Sequence, residues 1–293
     1  MPNLHDIERR INSVKSTKQI TRTMEMVAAA KIRRATERVE AATPYSTSMM
    51  EMLGHLAAQT SGSEAPLLEV HENTNRVLIV VVVSDRGLAG GFNSNVLRRA
   101  EGLMREYKAA GAQVDVIACG KKAQGYFHYR KINPVLAFKD LSADPTVEEA
   151  EEVAKYAIDG YSAGALDKVV IVYNHAKNAA EQVLTEEVVL PVDAEAFAVA
   201  KDAGKLSGDT EFEPSAEVVL NGLLPAYVRT TIYHALIDSA AGEQAARRSA
   251  MKSATDNANE MVDTLTRIYN RARQGAITTE INEIVGGAAA LEG

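Results

Sequence analysis

Several residue types and patterns are scarce in this 293-residue chain, and each scarcity excludes some classes of protein. Cys119 is the only cysteine, so no internal disulfide can form and a reducing compartment is expected. The chain has no tryptophan and only 5% aromatic residues, although 46% of its residues are hydrophobic, a composition that favours long helices. The longest apolar run, residues 77–83, is far shorter than the roughly 20 residues of a membrane-spanning helix. With no signal or transit peptide pattern in its first residues, we expect a protein that is soluble or held to a membrane only through a partner.

Charge is unevenly distributed along the chain. The net charge is −7, yet residues 8–38 contain nine Lys or Arg and three acids, and residues 138–152 contain six acids and one Lys. The overall value argues against general nucleic-acid binding, whereas the basic segment predicts an anionic partner along one helix.

The amino-terminal segment has the pattern of an unusually long helix. Residues 3–43 contain no glycine or proline, and Asn3 followed by Asp6 resembles a helix cap. Apolar residues then alternate in steps of three and four, which is the seam of a coiled coil. The predicted seam runs through Leu4, Ile7, Ile11 and Val14, meets Lys18 and Thr21, slips to Ile20, Met24 and Val27, and slips again to Ala28, Ile32, Ala35, Val39 and Ala42.

The carboxyl-terminal segment mirrors this pattern. No proline follows Pro225, and the predicted seam runs through Ala254, Ala258, Met261, Leu265, Ile268 and Ala272, with Gln244 and Arg247 upstream and Ile277, Ile281 and Ile284 downstream. Gly286 and Gly287 predict the helix end. The two helices would be about 60 and about 90 Å long, too long for a domain of ordinary size to cover. We therefore expect them to cover each other as an antiparallel coiled coil.

The middle of the chain alternates strand and helix patterns. The β-branched run from residue 76 to 83 predicts a buried strand. Further strands are predicted at 113–118, 134–138, 168–173 and 182–190, and helices at 92–108, 121–130 and 146–163. The predicted fold is therefore α/β plus a long antiparallel α-helical coiled coil, with a central Rossmann-like domain and a mostly parallel sheet. The predicted boundaries are 1–58 for the first helix, 59–75 for a connector, 76–192 for the domain, 193–213 for a second connector and 214–293 for the last helix.

No group of residues predicts catalysis, a cofactor or a metal. The glycine-rich loop at residues 87–91 lies where a dinucleotide fingerprint would be, but its spacing does not match GxGxxG, and a tight strand-to-helix turn explains it better. The six histidines and Cys119 lack metal-ligand spacing. The acidic run at residues 148–152 is typical of a solvated helix face.

Polar residues that interrupt the two seams have two open explanations. Lys18, Thr21, Gln244 and Arg247 either specify the register of the coiled coil or contact a partner protein. Arg273, Gln274, Thr278 and Glu280 cluster where the last seam changes phase, and a helix end that extends beyond its partner helix would present them to another protein.

Four segments of the chain resemble the gamma subunit of rotary ATP synthases. They are ITRTMEMVAAAK at 20–31, SDRGLAGGFN at 84–93, EQAARRSAMKSATDNA at 243–258 and NRARQGAITTEINEIVGGAA from 270. The segments occur in the family's order and cover both ends and the start of the middle domain.

The resemblance implies a function in the central stalk. In that family the terminal helices turn as a shaft inside a ring of alpha and beta subunits, and the α/β domain lies with epsilon on the membrane c-ring. We therefore expect a non-catalytic rotor subunit on the cytoplasmic face of the bacterial inner membrane. A nucleotide-binding α/β enzyme and a generic coiled-coil scaffold are the alternatives.

The resemblance also implies roles for particular residues. Met24 and Arg247 correspond to positions near the beta contact, and Arg273, Gln274, Thr278 and Glu280 correspond to the contact with the catch loops of the ring. Phe212 and Glu213, followed by Pro214, resemble the segment near epsilon and the c-ring, although Thr210 stands where an aromatic residue is expected. Lys31, Arg33 and Arg34 are expected to face acidic segments of beta.

Overall fold

The structure is a computed structural model that describes residues 4–60, 65–141, 144–178, 181–193, 197 and 212–292. Its elements are α1 (Leu4–Gln59), β1 (Arg76–Val82), α2 (Phe92–Ala109), β2 (Gln113–Cys119), α3 (Lys121–Tyr129), β3 (Leu136–Phe138), α4 (Val147–Ser162), β4 (Lys168–Ala176), β5 (Gln182–Leu190) and α5 (Ala216–Glu292). The chain divides into two compact units, one from both chain ends up to residue 28 and from residue 248, the other from residues 29–247. The predicted domain boundaries stay a prediction.

The larger unit is built on a five-stranded sheet in the order β3-β2-β1-β4-β5. The first four strands are parallel, and β5 pairs antiparallel with β4 at the edge. The central strand β1 is buried from Val77 to Val82 because helices cover both faces of the sheet. The prediction of an α/β fold with a mostly parallel sheet is confirmed.

Alternate residues of β1 enter two separate cores. Val77, Ile79 and Val81 pack with α2 and α3, whereas Leu78 and Val80 pack with α4 and with the parts of α1 and α5 that belong to this unit. This alternation is the period of two that a strand imposes on its side chains. The long helices are thereby joined to one face of the sheet.

Both long helices contain a proline, and α5 also contains the two glycines predicted to end it. The helix α1 continues through Pro44, and α5 begins before Pro225 and runs past Gly286 and Gly287 to Glu292. The predicted stop is therefore wrong, because glycine costs only about 1 kcal/mol in a helix and alanines follow. Proline costs about 3 kcal/mol or more. Burial of Leu224 and Val228 beside Pro225 returns about 2 kcal/mol for each side chain and offsets this cost.

The smaller unit is an antiparallel pair of helices. The hydroxyl groups of Thr21 and Thr255 are 2.8 Å apart and set the register of the pair. An antiparallel arrangement then places Leu4, the first described residue of α1, opposite Ala272. Ala272 is also the last half-buried residue of α5, and every described side chain from 273 to 288 is exposed. Burial on α5 therefore ends opposite the first described residue of α1.

The seam of this pair does not slip in phase. The buried or half-buried positions of α1 continue in steps of three and four through Leu4, Ile7, Ile11, Val14, Lys18, Thr21, Glu25 and Ala28. Ile20 and Val27 are 60% and 51% exposed, so their predicted places in the seam are wrong. Met261 and Ile268 are also exposed, and Val262 and Tyr269 take their places. Thr21 occupies the seam because its hydroxyl is satisfied by Thr255 and by the carbonyl of Lys18.

Substitutions on the exposed face and in the seam should differ strongly in their effect on stability. We expect Ile20→Ser and Val27→Ser to change the free energy of unfolding of the isolated chain by less than about 0.5 kcal/mol, since both side chains are exposed. Ala28→Glu should cost at least about 2 kcal/mol, because it places a charge in the closed seam. Thermal melts followed by circular dichroism measure both. A large loss of stability in Ile20→Ser would instead support the seam predicted from the sequence, which passes through Ile20.

A carboxylate anchors the segment that enters β1. Asp167 accepts hydrogen bonds from the backbone N–H groups of Asn75 and Arg76 at 2.8 and 2.7 Å, and its other oxygen lies 2.9 Å from Nδ1 of His71. Burial alone would raise the pKa of Asp167, but the bonds from His71 and the two backbone groups outweigh it and lower the pKa.

This carboxylate should make stability fall in acid. A lowered folded-state pKa contributes stability that is present above the unfolded pKa of about 3.9 and is lost as pH falls through the folded value. We therefore expect Asp167→Asn to destabilise the chain at pH 7 and to close most of the gap to the wild type near pH 2. Denaturant unfolding across this range measures the gap. A gap independent of pH would contradict the assignment.

Candidate functional site

The glycine-rich loop between β1 and α2 is a tight turn that contacts α5. Leu88 and Gly90 adopt positive φ angles of 64° and 56°. The Ser84 N–H donates to Oδ1 of Asn93 at 2.8 Å, which ties the start of the loop to α2. Ala89 and Phe92 pack against Ala246 of α5. The turn therefore packs against α5 through Ala89, while Leu88 and Gly90 stay exposed.

Arg247 connects α5 to the same loop. Its Nη2 donates to the carbonyl of Gly87 at 3.1 Å, and its Nη1 lies 2.6 Å from Oε1 of Glu243. The side chains of Arg247 and Glu243 are only 10% and 3% exposed. Arg247 thus has a structural role within the larger unit in addition to the partner contact predicted from the sequence.

A second polar contact holds α5 against the end of β4. Asp238 accepts from the backbone N–H of Ala176 at 3.1 Å, and its other oxygen lies 2.6 Å from Nδ1 of His175. At Gly242 the helix comes so close that an added Cβ would lie 3.1 Å from the carbonyl oxygen of Asn174. Asp238 and Gly242, like Arg247, therefore face the α/β domain.

The overhang, residues 273–288 of α5, is an exposed helical surface that contains residues predicted to bind a partner. Arg273, Gln274, Thr278 and Glu280 all lie on it and are exposed, as the sequence predicts. Ile277, Ile281, Ile284 and Val285 are 46–65% exposed, so they form no seam within the chain. Their spacing of four, three and one places them along one side of the helix. An uncovered apolar stripe of this kind marks an interaction surface.

The basic stretch of α1 separates into two faces. Lys31, Arg33 and Arg34 are exposed. Arg33 donates through Nε to Glu37 at 2.9 Å. Lys31 and Arg34 instead line a cavity of about 170 Å³ together with Gln244 of α5. The sequence predicted the charges, but the cavity depends on α5, which is about 210 residues away in sequence.

The remaining predicted residues lie in different environments. Met24 is half-buried in the smaller unit. Phe212 is half-buried against the core that α4 shares with the two long helices, and Glu213 is exposed. Asn3, Thr210 and most of the connector at 193–213 lie outside the described residues.

The described part of the chain contains no metal site, no reactive cysteine and no membrane-spanning helix. No group of three or more His, Cys, Asp or Glu residues there could hold a metal ion. Burial raises the pKa of the Cys119 thiol to about 12, which leaves it without nucleophilic thiolate at neutral pH. No described helix combines the length and the apolar character needed to cross a bilayer.

Paired end helices, an α/β domain and an exposed helical overhang define a class: a coiled-coil subunit that works through contacts with other proteins. The ATP synthase family model matches residues 3–291, so the chain belongs to this family. It is 44% identical over 294 residues to the ATP synthase gamma chain of Desulforamulus reducens, with all of both chains covered. It is 41% identical over 286 residues to the gamma chain of Xanthomonas campestris, with 98% of each covered.

Solved structures of central stalks share the fold. A chain of the Tetrahymena thermophila mitochondrial ATP synthase central stalk and c-ring is 25% identical, with a TM-score of 0.56 over 80% of this chain and 99% of that one. A chain of the Euglena gracilis mitochondrial ATP synthase rotor is 18% identical, with a TM-score of 0.63 over 94% and 98%. The predicted family and the predicted combination of coiled coil and α/β domain are confirmed.

Proposed function

We propose that this chain is the central-stalk rotor subunit of a bacterial ATP synthase and has no catalytic activity of its own. It couples rotation of the membrane c-ring to conformational change at the catalytic sites of the alpha and beta subunits. The observation that carries the proposal is the overhang, because residues 273–288 expose an apolar stripe that their own chain leaves uncovered. Membership of the ATP synthase family supports it.

The physical basis is a differential interaction with alternative states of a partner. A ligand shifts a conformational equilibrium only by its difference in affinity for the two states. On the overhang, Arg273, Gln274, Thr278 and Glu280 are three or four positions from the isoleucines and share their side of the helix. The opposite side carries Gly275, Thr279, Asn282 and Gly286, so different sides offer different surfaces. As the shaft turns, each catalytic site of the ring meets another of these surfaces in turn.

We assign the predicted contacts to this assembly. Arg273, Gln274, Thr278 and Glu280 contact the catch loops of the ring, and Met24, Lys31, Arg33, Arg34 and Arg247 contact beta. Phe212 and Glu213 contact epsilon or the c-ring. The chain is peripheral, at the cytoplasmic face of the cell membrane, and is held there through the c-ring.

Co-expression with alpha and beta subunits tests the proposal. We expect a stoichiometric particle that hydrolyses ATP and that loses most of its activity when this chain is omitted. A nucleotide-binding enzyme would instead bind a nucleotide as the isolated chain, and a generic scaffold would not enter the particle. Equal hydrolysis with and without the chain would refute the proposal.

Charge reversal tests the basic contact. We expect Lys31→Glu, Arg33→Glu and Arg34→Glu together to weaken the coupling of proton flow to ATP synthesis in membrane vesicles, since each attraction to an acidic segment becomes a repulsion. The matched control reverses three exposed cations of the α/β domain, Arg105, Lys108 and Lys131. Full coupling in the first variant, or an equal loss in both, would exclude a specific contact.

A further inference from the structure

The cavity beside Lys31 is lined by more positive than negative side chains. Lys31, Arg34 and Arg38 line it from three successive positions on one face of α1, and Asp144 lines it from the segment before α4. Arg38 forms an ion pair with Asp144. Lys31 and Arg34 form no ion pair within the described part of the chain. Two positive charges thus remain at the cavity, about 5–6 Å apart at their Cβ atoms.

The cavity lining also includes an uncharged hydrogen-bonding group. Gln244 is only 7% exposed, yet it lines the cavity beside Ile237 and Ala240. Its side-chain amide makes no hydrogen bond among the described residues. The amide is therefore free to bond to water or to a ligand in the cavity. Its N–H group can donate to an anion that the two cations attract.

The size and chemistry of the cavity select the ligand class. At about 170 Å³ it is smaller than the roughly 300–1,000 Å³ of sites for drug-sized molecules. An ammonium, a guanidinium and an amide N–H are all donors, and such groups bind the oxygens of phosphate or carboxylate through charge-assisted hydrogen bonds. We propose that Lys31, Arg34 and Gln244 of the isolated chain form a binding site for one free phosphate ion, which occupies the positions that beta is proposed to contact in the assembly.

The neighbouring cation Arg33 provides a matched control. It carries the same charge and is also exposed, but it lies on another face of α1, is paired with Glu37 and does not line the cavity. Arg33→Gln therefore removes one charge from the helix without changing the site. Lys31→Gln and Arg34→Gln each remove one charge that lines it, and Gln244→Leu removes the amide without changing charge.

Thermal unfolding of the full isolated chain in phosphate tests the site, with chloride at equal ionic strength as reference. A ligand that binds only the folded state raises the melting temperature with its concentration. We expect phosphate to raise it in a saturable manner in the wild type and in Arg33→Gln. Phosphate affinity should fall at least about tenfold in Lys31→Gln, in Arg34→Gln and in Gln244→Leu, since each loses a donor to a charged ligand. Circular dichroism in chloride confirms that each variant is folded.

Three results would overturn the proposal. An unchanged phosphate effect in the Lys31 and Arg34 variants would place the ion elsewhere. An equal loss of phosphate affinity in Arg33→Gln would show that phosphate responds only to the overall charge of the helix and not to this site. Acetate that binds as well as phosphate would show that the site takes carboxylates, and thus an acidic side chain of a partner protein. Because the test uses the isolated chain, its outcome is independent of assembly with alpha and beta subunits.

Discussion

Gly120→Ala is expected to lower the free energy of unfolding by about 3 kcal/mol or more, since it combines backbone strain with a steric clash. Gly120 has φ and ψ of 102° and 145°, a region open almost only to glycine. An added Cβ would lie 2.2 Å from the carbonyl oxygen of Val83. Val83 directly follows the central strand β1, so the sheet opposes displacement of that carbonyl.

The position joins three strands, which explains the size of the effect. Gly120 donates its N–H to Phe138 of β3 at 3.0 Å, and Val83 donates to Cys119 of β2 at 3.0 Å. Gly125→Ala in the middle of α3 is the matched control, because nothing lies within 4 Å of its added Cβ. We expect the control to stabilise the chain by up to about 1 kcal/mol. Equal melting temperatures for the two variants would contradict the claim that Gly120→Ala introduces strain.

Arg247→Ala is expected to cost about 3 kcal/mol, because it removes one partner of a buried ion pair. The guanidinium also donates to Gly87, so the loop before α2 loses a contact with α5. Arg248→Ala is the control, since Arg248 is exposed and should change stability by less than about 0.5 kcal/mol. Denaturant unfolding of the isolated chain measures both.

The same variant decides between the two roles open for Arg247. A residue that only contacts a partner would leave the stability of the isolated chain unchanged and weaken assembly alone. The geometry predicts a loss in the isolated chain, with partial recovery in the double variant Glu243→Gln and Arg247→Met, since the neutral pair leaves no buried carboxylate that has lost the guanidinium. No recovery would mean that the shape of the guanidinium matters more than its charge.

Strands and short helices were readable from local sequence. The bounds of β5 match the prediction at both ends, and the β-branched run of β1 left little alternative to a buried strand. The family motifs at both chain ends identified the family. These features depend on neighbouring residues, which a sequence displays directly.

The seam depended on contacts that a sequence does not display. Hydrophobicity favoured Ile20 and Val27, yet the seam holds Thr21, whose polar group is satisfied by Thr255 on the other helix. The contact of Arg247 with Gly87 joins residues 160 positions apart. The assignment of single residues to alpha, beta or epsilon stays a prediction, because it concerns surfaces of other chains.

Rotation of this chain inside an assembled particle is the most direct test of its central role. A cysteine introduced at the exposed Lys108 can carry a bead, because the native Cys119 is buried and its pKa is raised to about 12. With the alpha and beta ring fixed to a surface, we predict that the bead turns in one direction while ATP is hydrolysed and stops when ATP is removed. A bead that stays still while the same particles hydrolyse ATP would contradict the account.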